Sequence, residues 1–447
     1  MTYTPHTPAD IEAMLAEVGV ASWEELFASI PQKLLLNRPL QLPEALSEYD
    51  LTNYFKSLAD CNCLFSGGSF LGAGAYSHFI PSIVNHIIER SEFLTAYTPY
   101  QAEASQGTLQ TIFEFQSLIC RLTGLDVANA SVYDGGTAAA DAILMALAQT
   151  RRNKVLVSRG VHPQIREIIA TYLADSSVIV EEIPLDPGSG QTDLAEVGTD
   201  TAAVLVQNPN FLGVIEDGPA LCQKAHAGGA LAIVEVSDPV CLALLRSPGE
   251  YGADICCGDA QALGNPVAYG GPYVGFLACT SKLMRRIPGR LVGLTEDAQG
   301  RRGFCLTLQA REQHIRREKA SSNICSNQAL CALATTIYLS LLGPVGLRKA
   351  AVSSLQSSTY LKEQVSDLEG FSLPLSGPTY NEFVLRCPSG RATELRQYLA
   401  NEGIQSGYLL EKDYPELADC MLLCCTELTK AAQIDELVAA LEHGKEA

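Results

Sequence analysis

At 447 residues, with 47% hydrophobic and 18% charged residues, the chain can bury a large core and exceeds the usual size of one domain. A formal net charge of −19 would repel phosphate backbones and anionic headgroups, which argues against nucleic acid and membrane surfaces as partners. The cysteines, 15 in all, show neither the CxxC spacing of a zinc site nor the density of a small secreted scaffold, so no metal is expected and a reducing cytoplasm fits best.

The N-terminus, MTYTPHTPADIEAML, has no basic region followed by an apolar stretch, and no uncharged apolar run of about 18 residues is read in the chain. A soluble, untargeted protein is expected. Residues 1–60 read as an arm that packs on something: amphipathic helical patterns run from Pro8 to Val18 and from Trp23 to Ser29, and a Pro-punctuated stretch spans Pro31 to Pro43.

Residues 61–300 alternate short apolar runs with helical ones. The runs are VLVS at 155, VIVEEI at 178, AAVLVQ at 202, ALAIVEV at 230 and YVGFLA at 273, with helical segments over Pro163 to Leu173 and Gly218 to Ala227. This order predicts an α/β domain with a mostly parallel sheet. Residues 301–447 read as connecting helices followed by a smaller α+β domain. A basic helix is expected over Arg311 to Lys319, and longer ones over Asn327 to Leu342 and Val345 to Leu368. Strands NEFVLRC at 381 and MLLCCT at 421 alternate with helices Ala392 to Glu402 and Ala431 to Glu442. The boundary near 300 rests on the polar, glycine-flanked loop Glu296 to Gly303.

Four segments could carry chemistry. In SVYDGGTAAADA, from Ser131, Gly135 and Gly136 would let the backbone approach an anion at a helix start, and Thr137 could add a hydroxyl. Asp134 would repel a phosphate if it pointed inward, so a capping role suits it; an ordinary N-capped helix is the plainer alternative. In QNPNFLGVIED, Gln207, Asn208 and Asn210 sit at a strand end, where open α/β sheets bind ligands, although a solvated turn would look the same. AIVEVSDP delivers Glu235 on an apolar strand, with Asp238 beyond it as a turn residue. The stretch from Gly252, GADICCGDAQALGNPVAYGGP, resembles the segment that carries the Schiff-base lysine in pyridoxal-phosphate enzymes, yet no lysine lies between Lys224 and Lys282.

Tyr76, Tyr97 and Tyr100 stand in glycine-rich or small-residue loops, where packing is the plain reading. His162 precedes Pro163 after a strand, a place that could face a ring and is as often structural. Ser321 to Asn327 is a short hydroxyl-rich stretch set just before a helix.

Together LGAGAYSHFIP, TAYTPYQAEASQGTLQ, YDGGTAAADA, QNPNFLGVIED, YGGPYVGF, RREKASSNICSNQAL and NEFVLRC resemble the glycine cleavage system P-protein family, and within it the N-terminal-half chains of the two-subunit form, from about residue 5 to about 440. The resemblance implies the pyridoxal-phosphate-dependent transferase fold, aminotransferase fold type I. It also implies decarboxylation of glycine on the cofactor and transfer of the aminomethyl group to the lipoyl arm of H-protein. In that family one half carries the lysine and the other has lost it. Aligning Glu235 with the pyridine-binding aspartate puts the missing lysine near Ala262, so pyridoxal phosphate is expected on a lysine-bearing subunit 2, in an α2β2 assembly.

The same resemblance implies that Tyr76, Tyr97, Tyr100 and Ser326 complete the partner's active site, with Ser326 as the contact to the cofactor phosphate. A vestigial pocket is expected around Asp134, Gly135, Gly136, Thr137, His162 and Glu235. Two other readings stand beside this one. The chain could be a free-standing regulatory protein that binds a small amino acid in the old pocket. It could also be an independent enzyme using Lys224 or Lys282, although the first lies in an expected helix and the second beyond the last core strand.

Overall fold

The computed structural model describes residues 4–62, 65–320, 322–388 and 390–445. The chain forms two compact units, one ending at residue 63 and the other beginning at 64. In the first, α1 (Pro8–Val18) opens with a capping box, the Thr7 N–H donating to the Asp10 carboxylate at 2.7 Å and the Asp10 N–H to the Thr7 hydroxyl at 3.3 Å. It closes at Gly19, whose φ of 82° suits a residue without a side chain. The next helix, α2 (Trp23–Leu26), stops before the expected Ser29, and α3 (Glu48–Ala59) follows. None of these helices has a buried residue. Trp23, Leu34, Leu42, Tyr49 and Phe55 are each more than half exposed.

The second unit begins with α4 (Ser82–Ile88), α5 (Ser91–Leu94) and α6 (Gln106–Thr123). There follow β1 (Val127–Ala128), α7 (Gly135–Thr150), β2 (Lys154–Ser158), α8 (Pro163–Leu173), β3 (Ile179–Ile183), β4 (Thr201–Gln207), α9 (Gly218–Ala227), β5 (Leu231–Val236), β6 (Ile255–Asp259) and β7 (Gly275–Cys279). They build one sheet in the order β1-β7-β6-β5-β4-β2-β3. β2 to β6 run parallel, and β7 and β1 join antiparallel at one edge.

Strands buried on both faces need helices on both faces, and the side-chain alternation sorts them. Val155, Leu205, Ile233 and Cys257 pack beneath Ile143 and Met145 of α7 and Ile165 and Ile169 of α8. Val204, Val234 and Cys256 face Phe115 and Ile119 of α6 and Leu221 of α9. Glu235 shares the period-two register of Ile233, which turns it toward the α7 side.

Three further expectations need correction. The stretch 296–303 is not a domain boundary but the end of a hairpin, β8 (Leu291–Glu296) with β9 (Arg302–Thr307), closed by Arg301 Nε donating to Asp297 at 2.7 Å. The hairpin escaped the sequence reading because glycines at 293 and 303 dilute its apolar pattern, and only Leu291, Val292 and Phe304 are buried. The basic helix over Arg311 to Lys319 breaks into isolated turns around α10 (Gln313–Arg316), with Arg317 at φ 53°. It has no apolar stripe to bury, since Ile315 is itself 56% exposed.

The two long helices are present as expected, within one span, α11 (Ala329–Ser366), that is broken at Gly343, whose φ of 57° and ψ of −175° are not helical, with Pro344 next. By length and composition α11 could cross a membrane, contrary to the expectation from sequence. Here Ala332, Leu333, Tyr338 and Leu339 are buried in the core of this unit. Ser321 lies outside the described residues. A three-stranded antiparallel sheet completes the unit: β10 (Glu382–Arg386), β11 (Tyr408–Leu409) and β12 (Cys420–Cys424), covered by α12 (Ala392–Asn401) and α13 (Ala431–Gly444).

Candidate active-site pockets

A cavity of about 490 Å³ opens at the carboxyl ends of β5 and β6, and Asp134, Gly135, Gly136, His162, Glu235 and Asp259 are among its lining residues. Six of the positions read from sequence therefore bear on one place: five line this cavity, and Thr137 sits one turn into the helix that enters it.

Asp134 caps α7. The Thr137 N–H donates to Asp134 Oδ1 at 2.7 Å, and the Thr137 hydroxyl lies 3.1 Å from the Asp134 N–H that it accepts. The Gly135 N–H donates to Asp259 Oδ2 at 3.0 Å. Two N–H groups of the first turn are thus already satisfied by carboxylates. The glycines serve close packing of protein rather than approach to an anion: a Cβ at Gly135 would stand 3.1 Å from Asp259 N, and one at Gly136 would stand 2.4 Å from Ile168 Cδ1.

Glu235 is fully buried. Its oxygens lie 3.0 and 3.1 Å from the Ser237 hydroxyl, which donates to them. Burial pushes its carboxyl up to about 8, opposed by Ser237 and reinforced by Asp259. Asp259, also buried, is pushed up to about 7, against the N–H groups of Gly135 and Gln261 that donate to it. At neutral pH Glu235 therefore holds its proton. Asp259 and Ser237 were missed from sequence, because only the tertiary fold sets them beside Asp134 and Glu235.

His162 caps α8, and both its ring nitrogens are engaged. Nδ1 accepts from the Gln164 N–H at 3.1 Å, which places the proton on Nε2, 2.9 Å from the Ala73 carbonyl it donates to. Burial lowers its pKa. Gln207 accepts the His162 N–H at 2.8 Å, so it positions the histidine. Asn208 and Asn210 fold their own loop: Asn208 accepts the Glu216 N–H, and Asn210 donates to Gly190 O and to Glu216. Both are buried, so the loop is a turn held from within and not the solvated turn that the sequence also allowed.

Ala262 is 1% exposed in the apolar core. Its neighbour Gln261 clamps Tyr76 from both sides, accepting its N–H at 2.9 Å and donating to its carbonyl at 3.0 Å. The Tyr76 hydroxyl donates to Glu382 Oε2 at 2.8 Å. At 4% exposure Tyr76 is a core residue of its own chain, and its side chain is not presented to a partner.

Near it His78 joins three segments of this unit. Nδ1 lies 2.6 Å from Glu427, while Nε2 lies 3.4 Å from Asp238 in an alignment too poor for a hydrogen bond, so that contact is one of charge alone. Burial opposes the imidazolium, but Asp238 and Glu427 outweigh it and lift its pKa to about 10.

Tyr97, Tyr100 and Ser326 lie elsewhere. Tyr97 is 85% and Tyr100 55% exposed. Tyr97 and Ser326 line a second cavity of about 290 Å³ together with Arg290 and Leu333, and Gln328 borders both cavities. The N–H groups of Cys325 and Ser326 point to the Tyr133 hydroxyl at 3.2 and 3.4 Å, which ties this loop to the first cavity.

Pyridoxal phosphate does not fit the first cavity. Ala262 offers no amine, and among the described residues neither lysine nor arginine lines the space. The helix N–H groups that would receive a phosphate face Asp134 and Asp259 instead.

The sequence model of the glycine cleavage system P-protein matches residues 1–441. The chain is 51% identical over 445 residues to the probable glycine dehydrogenase (decarboxylating) subunit 1 of Moorella thermoacetica, covering 99% of each. Its identity to the protein of the same description from Geobacillus kaustophilus is 50% over 448 residues, again covering 99% of each. Among solved structures, an inhibitor-bound glycine decarboxylase (P-protein) of the glycine cleavage system superposes with a TM-score of 0.90 at 45% identity, covering 99% of this chain and 100% of that one. A sphingosine-1-phosphate lyase from Burkholderia pseudomallei aligns at 0.62 and 16% identity, covering 93% and 94%, a likeness of fold alone. The α/β architecture is that of the pyridoxal-phosphate-dependent enzymes of fold type I.

Proposed function

Because the chain belongs to the glycine cleavage system P-protein family, we propose that it is the lysine-free subunit of a two-chain glycine decarboxylase. The lysine-bearing subunit 2 holds pyridoxal phosphate. The pair decarboxylates glycine, releases CO2 and passes the aminomethyl group to the lipoyl arm of H-protein. The observation that carries this reading is Ala262, buried at the position where the resemblance puts the lysine, together with the start of α7, whose N–H groups are held by Asp134 and Asp259.

The part left to this chain is to shape and close the partner's site through the exposed Tyr97 and Tyr100 and the half-buried Ser326. The large apolar side chains that the N-terminal unit leaves exposed, Trp23 and Phe55 among them, suit a permanent partner in an α2β2 assembly. Fourteen cysteines among the described residues are free thiols, which supports a reducing cytoplasm.

Co-expression with the lysine-bearing chain tests the reading. The two should purify in equal amounts, and borohydride reduction with pyridoxal phosphate should label the partner alone. A pyridoxyl-lysine recovered from this chain, or its purification without a partner as a stable homodimer, would overturn it.

A further inference from the structure

Arg290 opens β8 just before Leu291 and is 6% exposed, so its charge sits nearly out of water. Its bonding is all to neutral acceptors: Nη2 donates to the Cys325 carbonyl at 2.8 Å and to the Tyr100 hydroxyl at 3.3 Å, and Nη1 to Asn327 Oδ1 at 3.5 Å. Its guanidinium stacks 5.7 Å from the Tyr100 ring centroid. Nε has no partner, and among the described residues no carboxylate pairs with this side chain. A buried cation left without a counter-charge is costly. A second observation says where the missing anion goes. Arg290 lines the 290 Å³ cavity that also holds Ser326 and Tyr97, and among the described residues no hydrogen bond engages the Ser326 hydroxyl.

We propose that Arg290 is the cation of an oxyanion subsite in this second cavity, with the Ser326 hydroxyl beside it, and that the occupant is a phosphate or carboxylate group held at the partner's active site. The proposal rests on the paired-subunit reading and deepens it: this chain contributes charge as well as shape. A planar guanidinium whose face stacks on Tyr100 and whose Nη groups are held by Cys325 and Asn327 is preorganised for two-point contact with such a group. The source of the oxyanion is either the phosphate of the partner's cofactor or the carboxylate of the amino acid substrate.

The test uses the assembled two-chain enzyme carrying Arg290→Gln or Arg290→Lys. Two constants are measured: the dissociation constant for pyridoxal phosphate in enzyme stripped of cofactor, with inorganic phosphate as competitor, and KM for glycine. Loss of one charge-assisted contact corresponds to roughly tenfold to hundredfold in a binding constant.

A phosphate occupant raises the cofactor constant by that factor in Arg290→Gln and abolishes competition by inorganic phosphate, with Arg290→Lys intermediate. A carboxylate occupant raises KM for glycine and leaves the cofactor constant in place. Both outcomes support the subsite. Neither constant moving more than about twofold in a variant that still assembles overturns it. If Arg290→Gln fails to fold, Arg290→Lys is read alone, and unchanged constants there overturn the proposal equally. Assembly of the unmutated chains is scored separately, because its failure counts against the paired-subunit reading and not against the role of Arg290.

Discussion

Replacing Glu235 with Gln tests whether the buried carboxyl of the first cavity is neutral in the folded chain. The folded chain holds the Glu235 proton up to about pH 8, against an ordinary value of 4.5, because burial penalises the ionised form. Between those two pH values the unfolded chain has lost a proton that the folded chain keeps. Stability from this group is therefore fully present below 4.5 and is lost as pH rises through about 8. Each pH unit in that window costs the folded state about 1.4 kcal/mol, which accumulates to about 3 kcal/mol by pH 7 and about 5 kcal/mol above pH 8.

Glutamine has the shape of the protonated acid, can still accept from the Ser237 hydroxyl, and does not ionise. Glu235→Gln should therefore match the natural chain near pH 5 and exceed it by a few kcal/mol at pH 8.5, read as the difference in urea unfolding free energy at the two pH values. A difference that does not grow with pH, or a variant less stable at pH 8.5, would show that the folded chain does not keep the Glu235 proton, and would refute the neutral carboxyl.

Ala262→Lys restores an amine but not a phosphate cradle, since Asp134 and Asp259 still hold the start of α7. With pyridoxal phosphate it should give no borohydride-trapped adduct by mass spectrometry. His78→Ala leaves Asp238 and Glu427 buried without their cation and should cost about 3–5 kcal/mol in chemical denaturation. That stabilisation is fully present below 6.5 and is lost as pH rises through about 10, so the gap between variant and natural chain should close by pH 10.5. Tyr76→Phe removes the bond to Glu382 and should cost about 1–3 kcal/mol, while co-purification with the partner stays unchanged. Loss of assembly would mean that Tyr76 reaches the partner after all.

The sheet was legible because its central strands, β4 to β7, are buried on both faces. Such strands must be nearly continuous apolar runs, and AAVLVQ and ALAIVEV show it without any partner information. Helices with a cap and an apolar stripe, such as Pro8–Val18 and Pro163–Leu173, were legible to the residue. The β8–β9 hairpin and the broken basic segment were not, because neither carries a strong period of its own.

The site divided the same way. Sequence alone determines that no lysine lies between Lys224 and Lys282 and that Asp134 stands where a helix cap belongs, because both are facts of composition and local order. Tertiary structure alone decided that Asp259 meets the Gly135 N–H, that Glu235 keeps its proton, that Tyr76 is committed to Glu382, and that Arg290 lines one cavity with Ser326 and has no carboxylate partner among the described residues. Each of these depends on burial and on partners far away in the chain, 124 residues for Gly135 and Asp259 and 306 for Tyr76 and Glu382. The cost of desolvating a charge, and the contact that offsets it, exist only once the fold has brought those residues together.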